Sequence, residues 1–243
     1  MPSISADNLD LTARVQAVRD RYQAFNMALR GATAELLTGL SNGTVSMLRL
    51  ATEFDGLAHD LVSDLSHQAT NDLSVLSLSA YKTSAGVSDA LNSERAATVS
   101  QTLLNGFRDS IESIVAGQAL RDARNAEQFV RRQLFQGRAV ATTAELSVDL
   151  EFKHTTKGGR QIDSVDYINR EVNWSYRQHY NTLMTYILMS SEVDEAVVDG
   201  GSKAGDTVDL ASYETIAPVY FHHNSQALLQ PKGGVMKDER PDI

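Results

Sequence analysis

Apolar residues recur along the first part of the chain at alternating steps of four and three: Leu11, Val15, Val18, Tyr22, Phe25, Leu29, Ala32 and Leu36. Such steps place side chains on one stripe of an α-helix, and Arg14, Asp20, Arg21 and Arg30 fall on its other faces. The spacing predicts a helix over about 8–40. Its seam (Leu11, Val15, Val18, Tyr22, Phe25, Leu29 and Leu36) is the expected interaction surface, facing other helices of the same chain or of a neighbour. Gly39, Ser41, Asn42 and Gly43 supply the break, because glycine and asparagine tolerate the left-handed conformation that ends a helix.

A second helical run covers about 45–80 through Val45, Leu48, Leu57, Leu61, Leu65, Leu73 and Leu76. Its Ser, Thr, Asn and Asp residues compete for backbone hydrogen bonds, so a break is expected near 69–72. A third run covers about 84–135 and carries Val87, Leu91, Leu104, Phe107, Ile111, Ile114, Leu120, Val130 and Leu134. Gly106 and Gly117 interrupt it, where a close helix–helix approach could use them.

The period then changes. Leu146, Val148, Leu150 and Phe152 alternate with Ser147, Asp149, Glu151 and Lys153, the pattern of a half-buried strand. The segment 155–160, Thr-Thr-Lys-Gly-Gly-Arg, reads as a hairpin turn, with a short return strand over 161–165. Helical spacing resumes after Ser164 through Val165, Ile168, Val172, Tyr176, Leu183 and Ile187, with a heavy aromatic load in Tyr167, Trp174, Tyr180 and Tyr186. Beyond 199 the glycines and Pro218 and Pro231 predict an irregular arm with one short helix near 225–229.

The expected fold is therefore mainly α. Long amphipathic helices, bundled or coiled-coil-like, fill a domain over 1–145; a small β-hairpin follows over 146–163, an aromatic-rich helix over 164–198, and an extended C-terminal arm over 199–243. Proline occurs only at 2, 218, 231 and 241, which leaves the long helical stretch uninterrupted by the residue most damaging to it.

Composition narrows the chemistry. Apolar residues make up 42% of the 243, enough for a real core. The formal net charge of −9 argues against broad binding to nucleic acid, since counterion release needs a basic surface. Cysteine is absent, which removes disulfides, thiol catalysis and thiolate metal sites. No apolar stretch approaches the length of a transmembrane helix, so membrane contact is expected only through an oligomer or an amphipathic face. The acidic first ten residues do not read as a signal peptide or a lipidation site.

Candidate sites are few. Asp55, His59, Asp60, Asp64 and His67 have metal-compatible spacing on one helix, but without a second rigid element they read as a solvated face. His222 and His223 lack an activated nucleophile, the segment 199–206 lacks calcium-ligand spacing, and Lys157 and Arg160 mark a hairpin tip, not a phosphate loop. No catalytic, cofactor-binding or metal residue is assigned. Arg121, Arg124, Arg131, Arg132 and Arg138 form a locally basic segment. On a helix these arginines are expected to fall on more than one face and to be offset by Asp122 and Glu127, so salt-bridged packing is the default expectation, with a phosphate-facing channel wall as the sharper alternative.

The seam over 11–36, the Ser/Ala/Thr/Gln-rich helices over 63–118, the absence of cysteine and the arm over 215–243 together resemble tailed-bacteriophage virion proteins. The likeness is to helical internal or ejection proteins and head–tail connector components. It implies a non-enzymatic structural protein in the virion, forming a homo-oligomeric ring or tube beside other virion structural proteins. Its helices would brace or line a DNA passage, with non-specific DNA contact. A secretion-associated or surface filament or translocon subunit, at the bacterial cell surface or secretion apparatus, is the second class. An enzyme whose site is assembled from distant residues, such as His179 and Arg177 on the aromatic helix, is the third.

Overall fold

The computed structural model describes residues 11–83, 94–136, 150–191, 193–221 and 225–232. The protein is mainly helical. Three long helices come first, α1 (Leu11–Ser41), α2 (Met47–Thr83) and α3 (Glu94–Phe135). An antiparallel hairpin of β1 (Lys153–Thr155) and β2 (Gln161–Asp163) leads into a fourth long helix, α4 (Ser164–Ser190). The C-terminal region holds β3 (Glu195–Asp199), β4 (Thr207–Asp209), a 3-10 turn (Leu210–Ser212), α5 (Tyr213–Tyr220) and β5 (Leu228–Pro231).

The chain divides into two compact units that do not follow chain order. One comprises Met1–Val15, Ala69–Ile111 and Arg170–Ile243; the other comprises Gln16–Gln68 and Glu112–Asn169. Each long helix contributes a segment to both.

Local chemistry explains the element ends. The α1–α2 turn closes when the Thr44 and Val45 amides both donate to the Gly39 carbonyl, at 2.8 and 3.1 Å, with Gly43 left-handed at φ 71°. At the start of α4 the cap is Asp163, whose Oδ1 accepts from the amides of Val165 (2.8 Å) and Asp166 (3.4 Å). Ser164, which also suits a cap by type, is turned inward and fully buried.

The expected interruption of α2 near 69–72 does not occur. The residues that threatened it are occupied elsewhere: the Asp72 carboxylate takes bonds from Arg14 and Tyr176. Ser74 and Ser77 donate back to the carbonyls of Thr70 and Leu73 inside the helix.

The hairpin is shorter than the alternation suggested. Leu150 and Phe152 are buried while Glu151 and Lys153 are exposed, so the alternation of burial holds before ladder pairing begins at Lys153. Residues 146–149 lie outside the described residues, as do 84–93 at the expected start of the third helix and Arg138.

The C-terminal region is more ordered than the glycines and prolines implied. β3 lies between β4 and β5, antiparallel to both, with Val198 opposite Leu229 and Ala196 opposite Val208. The helix falls over Tyr213–Tyr220, not near 225–229, and contains Pro218. In so short a helix the missing proline donor removes only a bond back to the first turn. Leu228 and Leu229, expected at the end of a helix near 225–229, and Gln230 and Pro231, expected in the irregular arm, together form the strand β5 at the sheet edge.

Candidate functional site

Every seam residue is covered by the chain itself: Leu11, Val15, Val18, Tyr22, Phe25, Leu29 and Leu36 are all buried. Tyr22 and Phe25 meet edge to face, ring centroids 5.5 Å apart. The stripe that the heptad spacing marked therefore packs within one chain.

The basic segment is arranged differently from its expected scatter. At about 3.6 residues per turn, Arg121, Arg124, Gln128, Arg131, Arg132 and Phe135 fall within roughly 100° of one another on α3, and all six are exposed. Asp122 does not offset them, because it points into the core and is fully buried. Glu127 pairs with Arg131 at 2.6 Å, an exposed i,i+4 bridge of small energetic weight. Arg121, Arg124 and Arg132 make no ion pair among the described residues. Phe135, at 95% exposure, stands at the end of this arc.

Beneath the arc, in the same compact unit, lies a buried polar network. Asp122 accepts from the Tyr22 hydroxyl at 3.0 Å and from the Gln118 amide at 2.9 Å. Ser164 also bonds its carboxylate, and Asn26 donates to the Ser164 hydroxyl at 3.1 Å. Burial pushes the Asp122 carboxyl up to about 6, against the pull of these hydrogen bonds and of Arg121. Burial, reinforced by Asp122, also drives the Tyr22 phenol far above its usual range, so Tyr22 stays a donor. The far end of the Gln118 side chain reaches the hairpin: its Oε1 lies 3.0 Å from His154 Nδ1. The His154 ring lies flat on Tyr167, centroids 3.6 Å apart.

The other unit has its own buried groups. Asp72 is held by Arg14 at 2.5 Å and Tyr176 at 2.8 Å, tying α1, α2 and α4 together. His179 on α4 is fully buried, its Nε2 lies 2.8 Å from Ser77 Oγ, and the Phe107 ring meets it edge-on. Because Ser77 donates to the Leu73 carbonyl, the imidazole supplies the proton of the Ser77 contact, from Nε2. Burial lowers the His179 pKa to about 4, opposed by the Leu73 carbonyl, so the ring is neutral. Ser77 is a buried helix-interior side chain whose proton is committed to a carbonyl of its own helix. Further along α4, Arg177, Gln178 and Asn181 donate to the carbonyls of Gln226, Phe221 and Ala227.

Asp55, His59, Asp60, Asp64 and His67 lie on exposed positions of α2. Asp64 is within 3.7 Å of Arg21, and no metal-holding group of three such side chains occurs among the described residues. His222 and His223 lie outside the described residues. No described helix is long and apolar enough to cross a membrane.

The buried network was the part that the sequence reading missed. A signal existed: Gln118 and Asp122 continue the buried steps Ile111, Val115, Ala126 and Phe129 on α3, so they are polar residues on an apolar face. Asp72 does the same among Ala69, Leu73 and Leu76. In comparisons with protein-family models, curated proteins and solved structures, none matched the chain.

Proposed function

We propose that this chain is a structural, non-enzymatic component of a phage particle. It assembles with copies of itself into a ring or tube that braces or lines a DNA passage. The observation that carries the reading is the exposed arginine arc of α3, Arg121, Arg124, Arg131 and Arg132. Guanidinium groups on one face of a rigid helix form a line of bidentate phosphate contacts, and the acidic remainder of the chain keeps such contact local and reversible. The buried polar side chains add support, since they tie helix to helix within each unit.

Because the α1 seam is used up inside the chain, contacts between copies fall to other surfaces. Met27, Leu120 and Phe135 in one unit, and Val75, Leu78, Met189 and Val219 in the other, are large apolar side chains left exposed.

Light scattering of the full chain over a range of concentrations, with electron microscopy of the same sample, tests assembly. A defined closed oligomer is expected; a monomer at high concentration would overturn the reading. Duplex DNA titrated at low and moderate salt tests the arc. Replacing Arg121, Arg124 and Arg132 together by Glu is expected to abolish binding at moderate salt and reduce the salt slope by roughly 2 to 3.

A further inference from the structure

The buried carboxylate of Asp122 and the half-exposed imidazole of His154 are joined by one side-chain amide, that of Gln118. The amide has a donor end and an acceptor end. Its Nε2 faces Asp122 Oδ1 at 2.9 Å and the Lys153 carbonyl at 3.5 Å, and its Oε1 faces His154 Nδ1 at 3.0 Å. With both amide hydrogens directed to oxygens, Oε1 is left as an acceptor, so His154 must present Nδ1–H. An ionised Asp122, able only to accept, therefore dictates the tautomer of a histidine on the hairpin.

We infer that Asp122, Gln118 and His154 form a proton-coupled switch, in which the protonation state of the buried carboxyl sets the tautomer of His154 and the docking of the β1–β2 hairpin. When Asp122 takes up one proton from solvent, its hydroxyl must donate. Tyr22 and Ser164 hydrogen-bond this carboxyl as it stands, and Gln118 offers a separate acceptor atom, Oε1, which a half-turn of the amide brings to the new hydroxyl. That rotation of the amide breaks the bond to the Lys153 carbonyl and turns Nε2 toward His154, whose Nδ1 must then accept. The imidazole proton moves from Nδ1 to Nε2 through solvent, with no net proton gained or lost at the ring. Conversely, a doubly protonated His154 demands Oε1 and so favours the ionised carboxylate. The two sites thus discourage simultaneous occupation of the neutral-acid and imidazolium states.

Among the described residues, groups facing this relay come from α1, α3, β2 and α4. Tyr22 projects from α1, Arg121 lies beside Asp122 on α3, Asp163 stands at the end of β2, and Tyr167 on α4 stacks on His154. Of these, Arg121 favours the carboxylate, and Tyr22 and Ser164 hydrogen-bond it. Burial opposes all of them, and it brings the proton within reach near pH 6. The device acts through the core and meets the arginine arc at one residue, Arg121, whose charge favours the carboxylate.

Long-range proton–nitrogen NMR of the 15N-labelled full chain reads the tautomer directly. At a pH where His154 is neutral and Asp122 ionised, the wild-type ring is expected as Nδ1–H. Asp122→Asn, which replaces the carboxylate by a group that can donate, is expected to convert it to Nε2–H. In a Gln118→Ala background the same change should have no effect on the ring. An unchanged tautomer in folded Asp122→Asn would overturn the inference. Should that variant fail to fold, the wild type still decides: the Gln118 side-chain amide signals and the tautomer signature of the neutral His154 ring should change together with pH, and a change in one without the other would overturn it.

Discussion

Glycines 39 and 117 are the same residue type in two different circumstances. A Cβ on Gly39 would meet Val45 Cγ2 at 2.4 Å, where the chain folds back after α1, whereas one on Gly117 would meet nothing within 4 Å. Gly106 is equally open, so neither α3 glycine serves the close helix approach that its place in the sequence suggested. Gly117→Ala is therefore expected to raise the urea-unfolding free energy by about 0.5–1 kcal/mol through backbone entropy. Gly39→Ala should lower it by about 1–3 kcal/mol through overpacking. Residue type alone could not separate the two, because the discriminating atom is six positions away in sequence and visible only once the turn has closed.

At the level of elements, the helices were legible and their polar interruptions were misleading. α2 runs through its Ser-, Asn- and Asp-rich stretch because Asp72 has partners 58 and 104 residues away in Arg14 and Tyr176. Local competition for the backbone ends when such partners exist. The sheet shows the opposite error. β5 lies at the sheet edge, and its outer side is held by Asn181, which donates to the Ala227 carbonyl at 3.2 Å and accepts from the Leu229 amide at 3.0 Å. A side chain on a helix thus does for β5 what a further strand would do. Asn181→Ala leaves two buried backbone groups without those partners, which costs about 2–4 kcal/mol. Hydrogen exchange is expected to speed at Leu229 by at least tenfold more than at the central α4 amides. Uniform acceleration across the chain would mean that Asn181 is no more than a packing residue.

For the whole molecule, two buried titratable groups pull stability in opposite directions with pH. The folded-state pKa of Asp122 is raised from 3.8 to about 6, so its contribution is full below about pH 4 and is lost as pH rises through 6. The folded-state pKa of His179 is lowered from 6.5 to about 4, so its contribution is full above about pH 6.5 and is lost as pH falls toward 4. Each displacement is worth roughly 3 kcal/mol. Over the shared window the two nearly cancel, and single variants unmask them. The unfolding free energy of wild type minus Asp122→Asn should fall by roughly 3 kcal/mol from about pH 4 to about pH 7, and wild type minus His179→Gln should rise by a similar amount. Parallel difference curves would show that one of the two groups is not buried in the state that unfolds.

Sequence by itself determined the four long helical stretches, where α1 ends, that a hairpin precedes α4, and which α1 residues enter the core. All of these follow from periodicity and turn chemistry, which act over a few residues. Tertiary structure decided where the polar residues on apolar faces find partners, that the arginines of α3 share one exposed arc while Asp122 turns inward, and that the C-terminal region closes a sheet against α4. Those outcomes rest on contacts between residues tens of positions apart. Their energies come from desolvation and hydrogen-bond geometry, which exist only after the chain has folded.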